Sequence, residues 1–243
     1  MHDEKYEVAN RLVVSIRWLR WFALPCRFFS TPTLTGKTNV TETSPFQTAQ
    51  QKQNEREAKR QAVLRAAVRI FNERGFHATL LEDVATSLGI SKPTIYHYLG
   101  NKEQVLLHCV VHGLEQLIEA AESARQEPGK GIDRLRNYLK RYAEINMDDF
   151  GRCVIRTGDE ALSEDGRTKF RALKSQIDQA MRGLIEEAIR DESIAPCDSK
   201  MLAFTLAGAL NWPARWFSPD GTQSREEVAA QMVDLLTKGF APR

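Results

Sequence analysis

Thr79-Leu-Leu-Glu-Asp-Val-Ala-Thr-Ser-Leu-Gly-Ile-Ser-Lys-Pro-Thr-Ile-Tyr-His-Tyr-Leu-Gly100 decides the fold of this 243-residue chain. Thr79 and Glu82 have the T-x-x-E spacing of a capping box, which predicts a short helix whose buried face is Leu81, Val84, Ala85 and Leu88. Gly89 stops it. Two residues later Ser91 is placed to cap a second short helix, Lys92 to Tyr98, with Pro93 tolerated in its first turn, and Gly100 ends that one. Ile95 and Leu99, four apart, can face a small core with Val84, Leu88 and Phe71. Lys92, Thr94, Tyr96 and His97 are left on the outer side, a cluster of donors, acceptors and a methyl group on barely two turns. Two capped helices joined by a turn at Gly89-Ile90 form a helix-turn-helix corner, whose second helix suits docking in the major groove of duplex DNA.

Working outward, the pattern stays helical. A helix is expected from about Glu57 to Arg74, with Val63, Ala67, Ile70 and Phe71 on one stripe and Gly75 as its C-terminal stop. Asn101 with Gln104 caps a long helix to about Arg125. After the break Glu127-Pro-Gly-Lys-Gly131 come helices near Ile132–Met147, Arg152–Ala161, Arg167–Asp191, Ser199–Trp216 and Arg225–Phe240. Pro213 should kink the fourth of these. The separators are Asp148-Asp-Phe-Gly151, Ser163-Glu-Asp-Gly166, Ala195-Pro196 and Ser218-Pro-Asp-Gly221. No alternating, strand-like segment is evident, so the fold class is all-α. The expected organisation is an extension and linker over residues 1–53, a three-helix helix-turn-helix domain over 54–101, and a larger helical domain over 102–243.

Net charge is only +2, so nucleic-acid binding must rest on local charge. Residues 52–103 hold nine Lys/Arg against six Asp/Glu, a surplus that permits phosphate binding without establishing it. Cys26, Cys109, Cys153 and Cys197 are far apart, which suggests neither a disulfide framework nor a zinc site but reduced thiols in a cytoplasmic protein. His108 and His112 lie four apart with no third ligand, and they read as a polar patch rather than a metal site. No nucleophile–His–acid set, paired carboxylates in a glycine-framed cleft or phosphate loop is present, so neither an enzyme nor a cofactor is expected. Leu12 to Phe29 is aromatic and apolar but broken by Arg17, Arg20 and Arg27, too short for a membrane span. It reads as lying outside the fold, with translation starting near Val40 as another possibility. A membrane-surface role for this basic segment stays open as an alternative.

The run Phe71-Asn-Glu-Arg-Gly-Phe76, Thr79, Glu82-Asp-Val-Ala85, Leu88-Gly-Ile-Ser91, Lys92-Pro-Thr-Ile-Tyr-His-Tyr98 and Asn101-Lys-Glu103 resembles the DNA-binding domain of the tetracycline-repressor (TetR/AcrR) family. The resemblance implies phosphate contacts from Thr79, Tyr96 and Lys102, base or phosphate contacts from Lys92, Thr94 and His97 beside the capping Ser91, and a packing role for Tyr98. Leu80 departs from the Ser or Thr usual there. The family also implies a helical C-terminal domain that encloses a ligand pocket and forms a homodimer through its last two helices, matched to a palindromic operator. Asn211-Trp-Pro-Ala-Arg-Trp-Phe217 is similar to regulators of lipid, sterol or other acyl-CoA catabolism. Phe150, Arg156, Phe204, Trp212 and Arg215 are the expected effector contacts, the two Arg pairing with a carboxylate or phosphate of an acyl-CoA-like ligand. The expected activity is ligand-released repression, with activation as the alternative of opposite sign.

Overall fold

The computed structural model describes residues 49–239, so the expectations for residues 1–48, Cys26 and the Arg/Trp-rich segment included, lie outside them. The described residues contain ten α-helices, and no strand occurs among them. Helix α1 spans Ala49–Arg74, α2 Leu81–Ser87, α3 Lys92–Leu99 and α4 Lys102–Gln126. They are followed by α5 Gly131–Met147, α6 Asp149–Arg156, a single 3-10 turn Asp159–Ala161 and α7 Glu164–Arg190. The last helices among the described residues are α8 Ser199–Asn211, α9 Pro213–Trp216 and α10 Arg225–Lys238.

Helix α1 begins eight residues before the expected Glu57. Its first turns, Ala-Gln-Gln-Lys-Gln, are exposed on every side, and such a stretch has no apolar stripe to announce it although most of its residues are good helix formers. Two expected separators are in fact helix starts. Asp148 caps α6 by accepting from Phe150 N (3.1 Å), and Ser163 caps α7 by accepting from Gly166 N (3.3 Å). The acids after each cap occupy the first helical turn, where carboxylates favour the positive end of the helix dipole. At Pro213 the long C-terminal helix is interrupted rather than bent, because proline cannot supply the amide that would continue the ladder.

One continuous apolar cluster runs from Val63 and Phe71 in α1 through Leu106, Leu114 and Leu117 in α4 to Val233 in α10. Helix α4 is its spine, packed against α1, α5, α6 and α7. The approach of α6 to α4 depends on Gly113: a Cβ there would lie 2.9 Å from both Phe150 O and Val154 Cγ2. Helix α10 lies on α5, held by Arg136, which donates to Asp234 and Thr237.

Candidate nucleic-acid interface and effector cavity

Gly89 turns the chain between α2 and α3 at φ +63°, and Ile90 N donates to Ala85 O (3.0 Å), which closes the corner. Ile95 and Leu99 are buried against α1 and α2 with Val84, while Leu88 packs at the edge. With those two anchors facing inward, the 3.6-residue period turns Lys92, Tyr96 and His97 to solvent. Thr94 is half-buried and its Oγ1 lies 2.9 Å from Ser91 Oγ. Ser91 therefore occupies the cap position of α3 but spends its hydroxyl on Thr94 rather than on a backbone amide. Tyr98 is half-buried against the core, with its ring edge-on to His97 at 5.3 Å.

Thr79 overturns its expected role. It is wholly buried, and its hydroxyl donates to Gly75 O at 2.9 Å, so it reaches no phosphate. Leu80 stands at the N-cap of α2 instead, and its amide donates to Asp83 Oδ2 (3.3 Å). The capping carboxylate is Asp83, not Glu82. Glu82 is occupied by Lys92, whose ammonium holds that carboxyl below the usual carboxylate range and is itself raised by it. Lys102 opens α4 beside the corner. Its Nζ donates to His77 O (3.3 Å) and sits 4.5 Å above the Phe76 ring. Asn101 and Gln104 form the expected reciprocal cap, each at 2.9 Å.

In the body, a cavity of about 180 Å³ lies between α4, α5, α6, α7 and α8. Its walls are Leu114, Leu117, Val154, Ile155, Ile177, Met181, Ala203, Phe204 and Ala207, with Tyr142, Asn211, Lys174 and Asp178 as the polar members. Burial pushes the Tyr142 phenol up to about 12, so it is a neutral hydroxyl at any physiological pH, and it donates to Asn211 Oδ1 (2.9 Å). Asn146 Nδ2 donates to the same oxygen at 2.9 Å.

Of the five expected effector contacts, Phe204 alone lines this cavity. Phe150 is buried in the core, edge-on to His112 at 4.5 Å. Arg156 and Arg215 line a separate cleft with Asn72, His77 and Glu160, on the side of α6 that faces α1. Trp212 is 62% exposed, its helical backbone carrying the exposed α8 face of Met201 on to the end of the helix. With Met201, Phe204, Trp216 and Leu235 it gives α8, α9 and α10 a set of exposed large apolar side chains. Tyr142 and Ile155 were not legible in the sequence, since the cavity is assembled from helices distant in the chain. The only local signal was Asn211, a polar residue ending an apolar helix.

Helix α6 connects the two regions. Val154 and Ile155 form cavity wall, while its ends hold α1. Asn72 Nδ2 donates to Asp149 O (2.8 Å), Arg69 Nε to Asp149 Oδ2 (3.2 Å), and Arg156 Nη1 to Asn72 O (2.9 Å). A further tie joins α1 to α4, where Arg60 Nη2 lies 3.0 Å from His108 Nδ1. Burial first, then Arg60 and Lys169, holds the His108 imidazole below its ordinary pKa. A neutral ring can accept the Arg60 proton at Nδ1.

Residues 63–109 match the family model for bacterial regulatory proteins of the tetR family, and residues 128–240 match that for the tetracyclin repressor-like C-terminal domain. The transcriptional repressor KstR2 of Rhodococcus jostii (strain RHA1) is 24% identical over 189 residues, covering 75% of this chain and 91% of the relative. The crystal structure of the transcriptional regulator PfmR from Thermus thermophilus aligns with a TM-score of 0.68 at 29% identity, covering 74% of this chain and 99% of that one. AibR, solved in complex with isovaleryl coenzyme A and operator DNA, aligns with a TM-score of 0.65 at 25% identity over 74% of this chain and 99% of its own.

Proposed function

The chain belongs to the TetR family of bacterial regulatory proteins, and on that basis we propose that it is a homodimeric repressor released from a palindromic operator by a small effector. The observation that carries this reading is the outer face of α3, where Lys92, Tyr96 and His97 are exposed while Ile95 and Leu99 anchor the helix from below. In the proposed complex Lys92, Thr94, Tyr96 and His97 enter the major groove and Ser91 stands at its edge. Lys102 and the first amides of α4 meet a phosphate. Lys92 exchanges its bond to Glu82 for one to DNA. The DNA-reading domain is residues 54–101 and the effector and dimerisation domain residues 102–243.

Two readers must be held one helical turn of DNA apart, which calls for a dimer. The exposed Met201, Trp212, Trp216 and Leu235 supply its apolar surface. The effector occupies the α4–α8 cavity. Its differential affinity for the DNA-free state moves α6, and through Asp149, Arg156 and Asn72 moves α1. Capture of isovaleryl coenzyme A by AibR supports an acyl-CoA-like effector. The protein works in the cytoplasm and catalyses no reaction. No helix among the described residues is long and apolar enough to cross a membrane.

The test is to sequence the fragments of its own genome that the protein retains. They should share an inverted repeat, and a chain carrying Lys92→Ala and Tyr96→Ala should retain none. Retention of unrelated fragments without a repeat, equal for the two chains, would overturn the reading.

A further inference from the structure

We propose that the cavity selects a short, uncharged acyl or related carbonyl group, and that Asn211 recognises its oxygen. This rests on the effector reading above and adds a chemical class to it. Size is the first argument. A cavity of 180 Å³ is close to the volume that takes up a single benzene ring, so it seats a group of roughly six to eight heavy atoms. A long fatty chain or the fused rings of a sterol is far larger.

Charge is the second. Lys174 and Asp178 are the only ionisable lining residues besides Tyr142, and each has an ion-pair partner. Lys174 faces Asp159 (3.5 Å), and Asp178 holds Arg182. With the Tyr142 phenol neutral, no unpaired charge is left to receive a carboxylate or an ammonium, and burying one without a partner would cost several kcal/mol or more.

The hydrogen-bond inventory is the third. Asn211 Oδ1 already receives the Tyr142 hydroxyl and Asn146 Nδ2. Two incoming bonds use up the oxygen in this orientation of the amide, while Asn146 Oδ1 is buried and accepts from nothing among the described residues. The two N–H groups on Nδ2 donate to nothing among the described residues, and Asn211 is part of the cavity wall. A cavity group placed there must accept: a thioester, ketone or ester oxygen does so, and an alkyl group leaves the donors unmet.

The experiment measures binding by calorimetry, and release of retained genomic DNA, for five probes. They are isovaleryl-CoA, its thioether analogue with CH₂ in place of the carbonyl, palmitoyl-CoA, a sterol-side-chain CoA thioester, and free 4-methyl-2-pentanone. Isovaleryl-CoA should bind about five- to tenfold more tightly than the thioether, the value of one hydrogen bond, and should outrank the two large thioesters. The ketone separates a free carbonyl compound from a coenzyme-A thioester as the source of the group, and DNA release by either supports the proposal. Asn211→Leu removes the donor while keeping a side chain of similar size, so the thioester should lose its advantage over the thioether. Ala207→Leu, which fills the cavity and leaves the polar cluster alone, should abolish binding of both. Two results overturn the proposal while leaving the effector reading intact: large thioesters binding best, or a thioether equal to the thioester in the unsubstituted chain. Binding and release by none of the five overturns both.

Discussion

Replacing Lys102 by methionine removes one cation from the start of α4 while keeping a stem that can lie over the Phe76 ring, where the ammonium now sits at 4.5 Å. In the free protein the loss is small, since the side chain gives up one long bond to His77 O at 3.3 Å. A bond of that kind is worth about 1 kcal/mol, which for a domain of this size lowers the melting temperature by roughly 2–4 °C. On DNA the effect is larger and has a signature that packing alone cannot produce. Each phosphate neutralised contributes about −0.9 to the slope of log affinity against log salt. A dimer carries Lys102 twice, so the slope should become shallower by about 1.8. Between 50 and 200 mM salt, a fourfold change, the wild-type affinity should therefore fall about twelvefold more than that of the variant. Fluorescence anisotropy with a retained operator fragment, titrated at four salt concentrations, measures this directly. Parallel slopes for the two proteins would refute the placement of Lys102 on a phosphate, whatever the change in affinity at one salt concentration.

Three other outcomes follow from the same contacts. Asn72→Ala deletes the 2.8 Å bond to Asp149 O, worth about 1 kcal/mol. If α6 carries the effector signal to α1, the drop in operator affinity caused by isovaleryl-CoA should shrink by up to about fivefold, and an unchanged drop in the anisotropy assay counts against that route. His108 is held below its ordinary pKa of 6.5 by burial and by Arg60, so on acidification the unfolded chain binds the proton first. Its contribution to stability is whole above about pH 6.5 and is lost as pH falls through that value toward the folded pKa. Urea midpoints should drop between pH 7 and pH 5.5 more in wild type than in His108→Gln, and identical profiles would remove His108 from the explanation. Finally, Trp212→Ser with Leu235→Glu puts polar groups at two positions that are 62% and 61% exposed in the single chain. Sedimentation should show monomers and weaker operator binding, whereas an intact dimer would place the interface elsewhere.

The DNA-reading corner was legible because its determinants are local. Gly75, Gly89 and Gly100 stand at the turns they announce, each with positive φ, and Ile95 and Leu99 fix which side of α3 is wet. Thr79 was misread because spacing cannot tell which way a side chain turns. Its hydroxyl finds the carbonyl of Gly75 within the same loop, leaving the Leu80 amide to Asp83. The cavity was largely illegible for a different reason. Leu114, Tyr142, Ile155, Met181 and Ala207 are neighbours only after five helices have packed, and no period in any one segment records that. Aromatic content misled in the same region, since Trp212 and Phe150 have the composition of pocket wall but one faces solvent and the other fills the core.

Gly113 has a bearing on how such a protein could be locked in one condition. The carbonyl of Phe150 and the Val154 methyl stand 2.9 Å from where its side chain would begin, so a single added carbon has nowhere to go unless the short helix above it lifts. Gly113→Ala would then act as a built-in wedge under the element that a bound effector is proposed to displace. Genes under its control should be expressed constitutively in a reporter strain, inducer or no inducer, from a protein that still folds and dimerises.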